Sequence, residues 1–315
     1  MANTLYIVIP CYNESEVIRE TNSRLLIKID DLIKRGFISA DSRVMYVDDG
    51  SKDNTWEIIS ELYEESEYVT GICLSRNKGH QNALVAGLME AKEYADIVIS
   101  MDADLQDDID VMDKFIEEYK NGCDIVYGVR GSRKKDTAFK RNTALAFYKL
   151  MRLLGVEIVD NHADYRLMSK RALDELEGYH EVNLFLRGII PLIGFKTATV
   201  SYERHERFAG KTKYPLGKMI RFAIEGITSC SVRPIRMIAV AGVVVSLISI
   251  AFLIYTVFGY FNGGTIDGWA STIVIMCFLG GFQMLSLGIV GEYVGKIYME
   301  VKHRPRYAVQ EKKLK

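Results

Sequence analysis

The chain has no charge excess: 40 lysines and arginines stand against 41 aspartates and glutamates, a formal net charge of −1. A nucleic-acid binder normally shows a strong basic excess, so the balance argues against that class. Cysteine is sparse. Cys11, Cys73, Cys123, Cys230 and Cys277 are scattered, odd in number and without a CxxC pair. Neither a zinc site nor a disulfide framework is indicated, which fits a reducing compartment. His162, His180, His205 and His303 share no metal-ligand spacing. The start, Met1-Ala2-Asn3-Thr4-Leu5, lacks a basic region followed by an apolar run. It does not read as a signal peptide, and the head is expected in the cytosol. There is no internal repeat and no low-complexity linker.

What is present is unevenly distributed. Charge is dense up to about Arg236 and then nearly vanishes. Two uncharged stretches follow, Met237–Phe258 and Ala270–Gly291. Each has about 22 residues, or ~33 Å of helix, enough for a ~30 Å hydrocarbon core. The connector, 259–269, holds Asp267 and no Lys or Arg, whereas Arg233, Arg236, Lys296, Lys302, Arg304 and Arg306 flank the other ends. The positive-inside rule then puts both termini in the cytosol. Between Leu216 and Ser231, Met219, Ile220, Ala223, Ile224 and Ile227 form an apolar stripe with Lys218 and Arg221 alongside. That pattern predicts a helix lying in the membrane interface. The expected division is a head over 1–214, an interface helix over 215–235, two spans over 236–295 and a basic tail over 296–315.

The head alternates strand-like and helix-like segments. Strands are predicted at Leu5–Ile9, Arg43–Val47, Val69–Leu74, Asp96–Met101 and Asp124–Val129, with helices between them. Such alternation implies an α/β fold with a mostly parallel sheet. In these sheets ligands bind beyond the carboxyl ends of the strands. Pro10-Cys11-Tyr12-Asn13-Glu14, Asp48-Asp49 and Asp102-Ala103-Asp104 all follow strands and are expected to converge on one rim. The middle, Gly131–Tyr214, is less regular, with a helix expected over Lys140–Leu154, a helical Arg187–Ile193 and a strand at Thr197–Tyr202.

Asp102-Ala103-Asp104 carries the central chemical signal. Carboxylates at a strand end can hold Mg2+ or Mn2+, hard cations that take oxygen ligands and offset charge on a departing nucleoside diphosphate. A helix-capping turn is the alternative. Asp48-Asp49-Gly50-Ser51 reads either as a capped turn or as a recognition element for base and ribose through Asp49. Pro10, Tyr12 and Glu14 would add the wall beneath the nucleotide, with Tyr12 reading equally as a core aromatic. Arg130 ends the fifth strand and is a candidate to reach a diphosphate, with Arg133, Lys134 and Lys135 as nearby competitors. Arg204, His205, Arg207, Lys211 and Lys213 crowd a loop just before the interface helix. His80 reads as a capping or packing residue.

Four segments together resemble glycosyltransferase family 2: Val8-Ile9-Pro10-Cys11-Tyr12-Asn13-Glu14, the run Val47 to Thr55, Arg76-Asn77-Lys78-Gly79, and Met101 to Asp107. His162-Ala163-Asp164-Tyr165-Arg166-Leu167 and the run Arg207 to Tyr214 narrow the likeness to polyprenyl-phosphate glycosyltransferases, which include bactoprenol glucosyltransferases and dolichol-phosphate mannose synthases. That resemblance implies a GT-A fold, a divalent metal and inverting transfer from a nucleotide-sugar to a polyprenyl phosphate at the cell membrane. UDP-glucose leads as donor and UDP-N-acetylglucosamine follows; undecaprenyl phosphate is the expected acceptor. Carried over residue by residue, Asp104 is the principal metal ligand, Asp102 meets the ribose or the metal, and Asp49 meets the base. Asp164 is the catalytic acidic residue, either accepting a residual proton or orienting Arg166 or another basic partner. Arg207 and Lys213 hold the acceptor phosphate. A processive polysaccharide synthase would carry a QxxRW-type motif, and Trp56 and Trp269 are not in that setting. A non-catalytic, membrane-tethered sugar-nucleotide binder is the remaining rival.

Overall fold

The computed structural model describes residues 2–131, 153–155, 162–203, 224–261 and 268–315. Its strands are β1 (Leu5–Cys11), β2 (Arg43–Asp48), β3 (Val69–Leu74), β4 (Ile97–Ser100), β5 (Ile125–Arg130), β6 (His162–Ser169), β7 (Thr197–Tyr202) and β8 (Val309–Lys313). The helices are α1 (Ile18–Lys34), α2 (Thr55–Glu65), α3 (His80–Ala91), α4 (Met112–Lys120), α5 (Lys170–Glu177), the single turn α6 (Leu186–Ile189), α7 (Arg233–Phe261) and α8 (Trp269–Val301). The predicted helix over Lys140–Leu154 and most of the predicted interface helix lie outside the described residues; 224–230 is helical.

One sheet runs in the order β7-β5-β6-β4-β1-β2-β3-β8. Strands β1 to β4 pair in parallel, and β5 pairs in parallel with β7. β6 is antiparallel to both β4 and β5. Every residue of β1 is buried, as expected of a central strand covered on both faces. Alternation sends Leu5, Ile7 and Ile9 to one face with Leu25, Ile29 and Leu32 of α1. Tyr6 and Val8 go to the other face with Ala83, Leu84 and Leu88 of α3. Period-2 strands and 3.6-period helices thus meet face to face.

β1 runs on through Pro10 to Cys11, two residues past the predicted end. Cys11 bonds towards β2 through the Asp49 N–H, and Val8 bonds towards β4 through the Met101 N–H. Pro10 therefore turns its missing donor to the β4 side, where that strand has ended at Ser100.

Two strands depart from the sequence-based expectation. β6 occupies part of the middle region read as irregular. It slots between β4 and β5, pairing Ser100 with Arg166 and Val129 with His162. β8 lies in the segment read as a basic tail and corrects that reading: it pairs antiparallel with β3. Its neighbours fasten it further. Trp56 Nε1 donates to Glu311 at 3.0 Å, Tyr63 donates to the Leu314 carbonyl at 3.1 Å, and Lys312 pairs with Glu90 at 2.6 Å.

Among the described residues one stretch, Arg233–Phe252 in α7, is long and apolar enough to cross a membrane, and none of it is buried in the protein. The second predicted span falls within α8, where Met276, Phe278, Met284, Leu285 and Leu287 are exposed. The far end of α8 packs against the 224–231 segment. There the Tyr293 hydroxyl donates to the Ser231 carbonyl at 2.6 Å, and Lys296 donates to the Glu225 carbonyl and the Ser229 hydroxyl.

Candidate active site

The carboxyl ends of β1, β2, β4 and β5 share one rim, and antiparallel β6 begins there. This brings Pro10, Asp49, the 102–104 turn, Arg130 and Asp164 to the same side of the sheet. Tyr12, just past β1, is 37% exposed, consistent with a side chain standing at an open surface. Glu14 is anchored through its backbone N–H, which donates to the Thr55 hydroxyl at 3.0 Å.

The Asp48–Gly50 turn builds the next layer. Asp49 is buried, and its oxygens accept from the Lys78 N–H at 2.7 Å and the Gly79 N–H at 2.9 Å. Gly50 has φ +63°, and a Cβ there would lie 2.6–2.7 Å from the backbone of Arg76 and Asn77. Only glycine permits both the left-handed turn and that approach. Asp49 and Gly50 thus fix the 76–79 loop, and the loop sets His80 at the first turn of α3.

His80 is a functional candidate that sequence reasoning treated as a cap. Its Nε2 lies 3.7 Å from Asp102 Oδ1 and 3.6 Å from Asp164 Oδ2. Burial works to lower its pKa, but the two carboxylates outweigh burial and raise it. Arg187 is the second candidate missed. Its Nε and Nη2 reach Asp164 Oδ1 and Oδ2 at 3.2 and 3.0 Å, a bidentate clasp. Arg166, 1% exposed, adds a third cation at 2.6 Å from Asp164 Oδ1. Burial alone would raise the Asp164 pKa; Arg187, His80 and Arg166 hold it well below the usual carboxylate range. The Ser100 hydroxyl donates to the Asp164 carbonyl at 2.6 Å and locks its backbone to β4.

The 102–107 turn is balanced differently. The Thr21 hydroxyl donates to the Ala103 carbonyl at 2.9 Å, Leu105 takes φ 56°, and Asp104 accepts from the Gln106 N–H at 3.2 Å. Burial, with Asp164 and Asp104 nearby, pushes the Asp102 carboxyl up against the pull of His80. Asp107, buried and near the Asp102 charge, is pushed up to about 6. Tyr202 donates to one Asp107 oxygen at 2.5 Å, while Oδ2 is buried without a hydrogen-bond partner. Arg130 stands behind the turn. Burial works to lower its pKa, but a hydrogen bond with Tyr202 and the charges of Asp107 and Asp102 raise it.

A divalent cation fits this donor set. The turn supplies hard oxygen ligands, an orphaned buried carboxylate oxygen and repulsion between neighbouring acids. Among the described residues no three His, Cys, Asp or Glu side chains converge on a metal position of their own. A cation held by one or two carboxylates takes its remaining ligands from water and phosphate oxygens. Arg204, Arg207 and Lys213 lie outside the described residues.

Residues 6–177 match the family described as glycosyl transferase family 2. The chain belongs to that family. It is a glycosyltransferase, and its similarity to known members runs nearly end to end. The glycosyltransferase YkoT of Bacillus subtilis is 55% identical over 97% of this chain and 90% of its own. A prophage bactoprenol glucosyl transferase homolog of Escherichia coli is 36% identical over 98% of both chains. The bactoprenol glucosyl transferase of Shigella phage SfV is 39% identical over 86% of this chain and 89% of its own. The GT-A-like α/β fold, with its mostly parallel sheet, agrees with this membership.

Proposed function

We propose that this glycosyltransferase moves one glucose from UDP-glucose to a polyprenyl phosphate, undecaprenyl phosphate in a bacterial membrane, with inversion at the anomeric carbon. The observation that carries the reading is the near-full-length similarity to relatives named for bactoprenol glucosyl transfer. The arrangement of the rim supports it.

Asp104 and Asp102 would hold Mg2+ or Mn2+, which when bound offsets the charge gathering on the departing UDP. Tyr12, Glu14 and the buried floor at Pro10 and Ala103 face the donor, with Asp49 setting the loop beside the base. Arg130 stands by for the diphosphate. The acceptor phosphate has a second pKa near ~6 and is largely dianionic at neutral pH. One of its oxygens forms the new bond to the anomeric carbon while the bond to UDP breaks, and the electron pair leaves on the diphosphate. No strong base is required. Asp164, ionised and clasped by two arginines and a histidine, is suited to orienting those cations rather than to taking a proton. Arg207 and Lys213 are assigned to the acceptor phosphate, with charge-assisted hydrogen bonds. Both long helices cross the bilayer, with the rim and termini on the cytosolic side, so that the lipid phosphate arrives beside the site.

The test is direct. Full-length protein with labelled UDP-glucose, undecaprenyl phosphate and Mn2+ is expected to yield a labelled lipid, and Asp104→Ala is expected to lose about 10³-fold or more of that turnover. Failure with every common donor defeats the proposal, as does formation of polymer. Donor binding without turnover would favour a tethered sugar-nucleotide binder.

A further inference from the structure

The clasp on Asp164 does not stand alone. Arg187 lies in α6, which follows a short segment, 181–185, that has no helix or strand. What fixes this segment comes from the cytosolic end of α8. Glu300 accepts the N–H of Val182 on one carboxylate oxygen and that of Asn183 on the other, each at 2.8 Å. The Asn183 side-chain amide donates back to Glu300 at 2.6 Å and to the Lys296 carbonyl at 3.3 Å. Three residues on, the Leu186 N–H donates to Gln81 in α3 at 2.8 Å, one residue after His80. On the other side, a Cβ at Gly188 would lie 2.7 Å from Cys230 Sγ, so the helical stretch 224–230 is seated against α6. The juxtamembrane end of α8 therefore holds the strip of backbone that delivers Arg187.

We propose that Glu300 is a positioning residue for glycosyl transfer: from the end of α8 it fixes residues 182–186 and, through Arg187, the orientation of Asp164. The proposal rests on the transfer reaction above for its catalytic consequence, but not for its structural part. The hydrogen bonds of Glu300 go to Val182 and Asn183, not to the 102–107 turn. Its loss therefore acts on the geometry of the Asp164 group and leaves donor binding in place.

The experiment uses full-length protein in nanodiscs and two readouts, amide hydrogen exchange and kinetics with UDP-glucose, undecaprenyl phosphate and Mn2+. In Glu300→Ala, amides of 182–187 are expected to exchange at least about tenfold faster, while β1 to β4 keep their protection. kcat is expected to fall about tenfold with donor KM within about twofold of wild type. Glu300→Gln retains one carbonyl acceptor and is expected to fall between Ala and wild type in both readouts. Asn183→Ala, which removes only the side-chain arm, is expected to repeat the effect more weakly and serves if Glu300→Ala loses protection throughout. Unchanged exchange at 182–187 overturns the proposal whatever the substrate. A loosened segment with unchanged kcat overturns its catalytic half. A wild type that makes no labelled lipid defeats the proposed reaction instead, and the exchange readout still decides the structural link.

Discussion

Asp164 and the carboxylates of the 102–107 turn sit on the same rim, close enough for His80 to lie between Asp102 and Asp164. They are nevertheless in opposite electrostatic states. Asp164 is surrounded by cations that the fold itself supplies, and its pKa is held down. Asp102 and Asp107 are buried among other acids, and theirs are pushed up. The difference separates a finished ion cluster from an unfinished one. The first is complete in the protein alone and can serve as a rigid anchor. The second keeps negative charge concentrated at the cost of stability and, in the proposed reaction, is completed by a cation and a diphosphate.

Apart from Asp104→Ala, the contrast is broken most severely at its anchored side. Asp164→Asn is expected to lower kcat by about 10²-fold or more, since the neutral amide no longer holds two guanidinium groups and the His80 ring. The acidic limb of the kcat profile is expected to stay where the wild type has it, because Asp164 is ionised throughout the working range. A limb that disappears in the variant would make Asp164 a titrating base and sink the anchor reading.

A smaller and opposite effect is expected on the unfinished side. The Asp107 pKa is higher in the folded state than in the unfolded chain, so its ionisation costs stability as pH rises from about 4 towards 6, and that cost persists above 6. Asp107→Asn keeps an acceptor for Tyr202 and removes the charge. Without metal, the variant is expected to melt higher than wild type at pH 7–8, with the gap closing below about pH 4. A lower melting point at pH 8 would show that the turn is already balanced.

The smallest effect lies away from the rim, at a miniature of the Asp164 arrangement. Asp113 pairs with Lys28 at 2.8 Å and Arg35 at 2.7 Å, and these outweigh its burial and lower its pKa. A depressed carboxylate pKa contributes stability above the unfolded value, near ~3.9, and loses it as pH falls through the folded one. Asp113→Asn is therefore expected to lower the melting point modestly at pH 7, and the two proteins should converge in acid. A constant difference across pH would assign the loss to packing.

Much of this architecture is legible in residue order. β1 to β4 and their helices follow local alternation, and turns after strands mark where Asp49, Asp102 and Asp104 belong. β6 is harder to read because Asp164 and Arg166 interrupt its apolar pattern; their charges cancel only once the strand is buried beside α6. Arg187 hides in the apolar run Leu184-Phe185-Leu186-Arg187-Gly188-Ile189, where a lone cation was itself the available signal. β8, with sequence Val-Gln-Glu-Lys-Lys, looks like a solvated tail because an edge strand tolerates charge along its open side. Long-range partners, rather than local propensity, define all three.

The placement of β8 bears on how the molecule is made. Translation delivers β3 early and its outer partner only after both long helices, so Trp56, Tyr63 and the Ser75 amide must wait for most of the chain before meeting their hydrogen-bonding mates. While the ribosome is still making the two long helices, the nascent enzyme has an open seam. Closing that seam is among the final acts of its biogenesis.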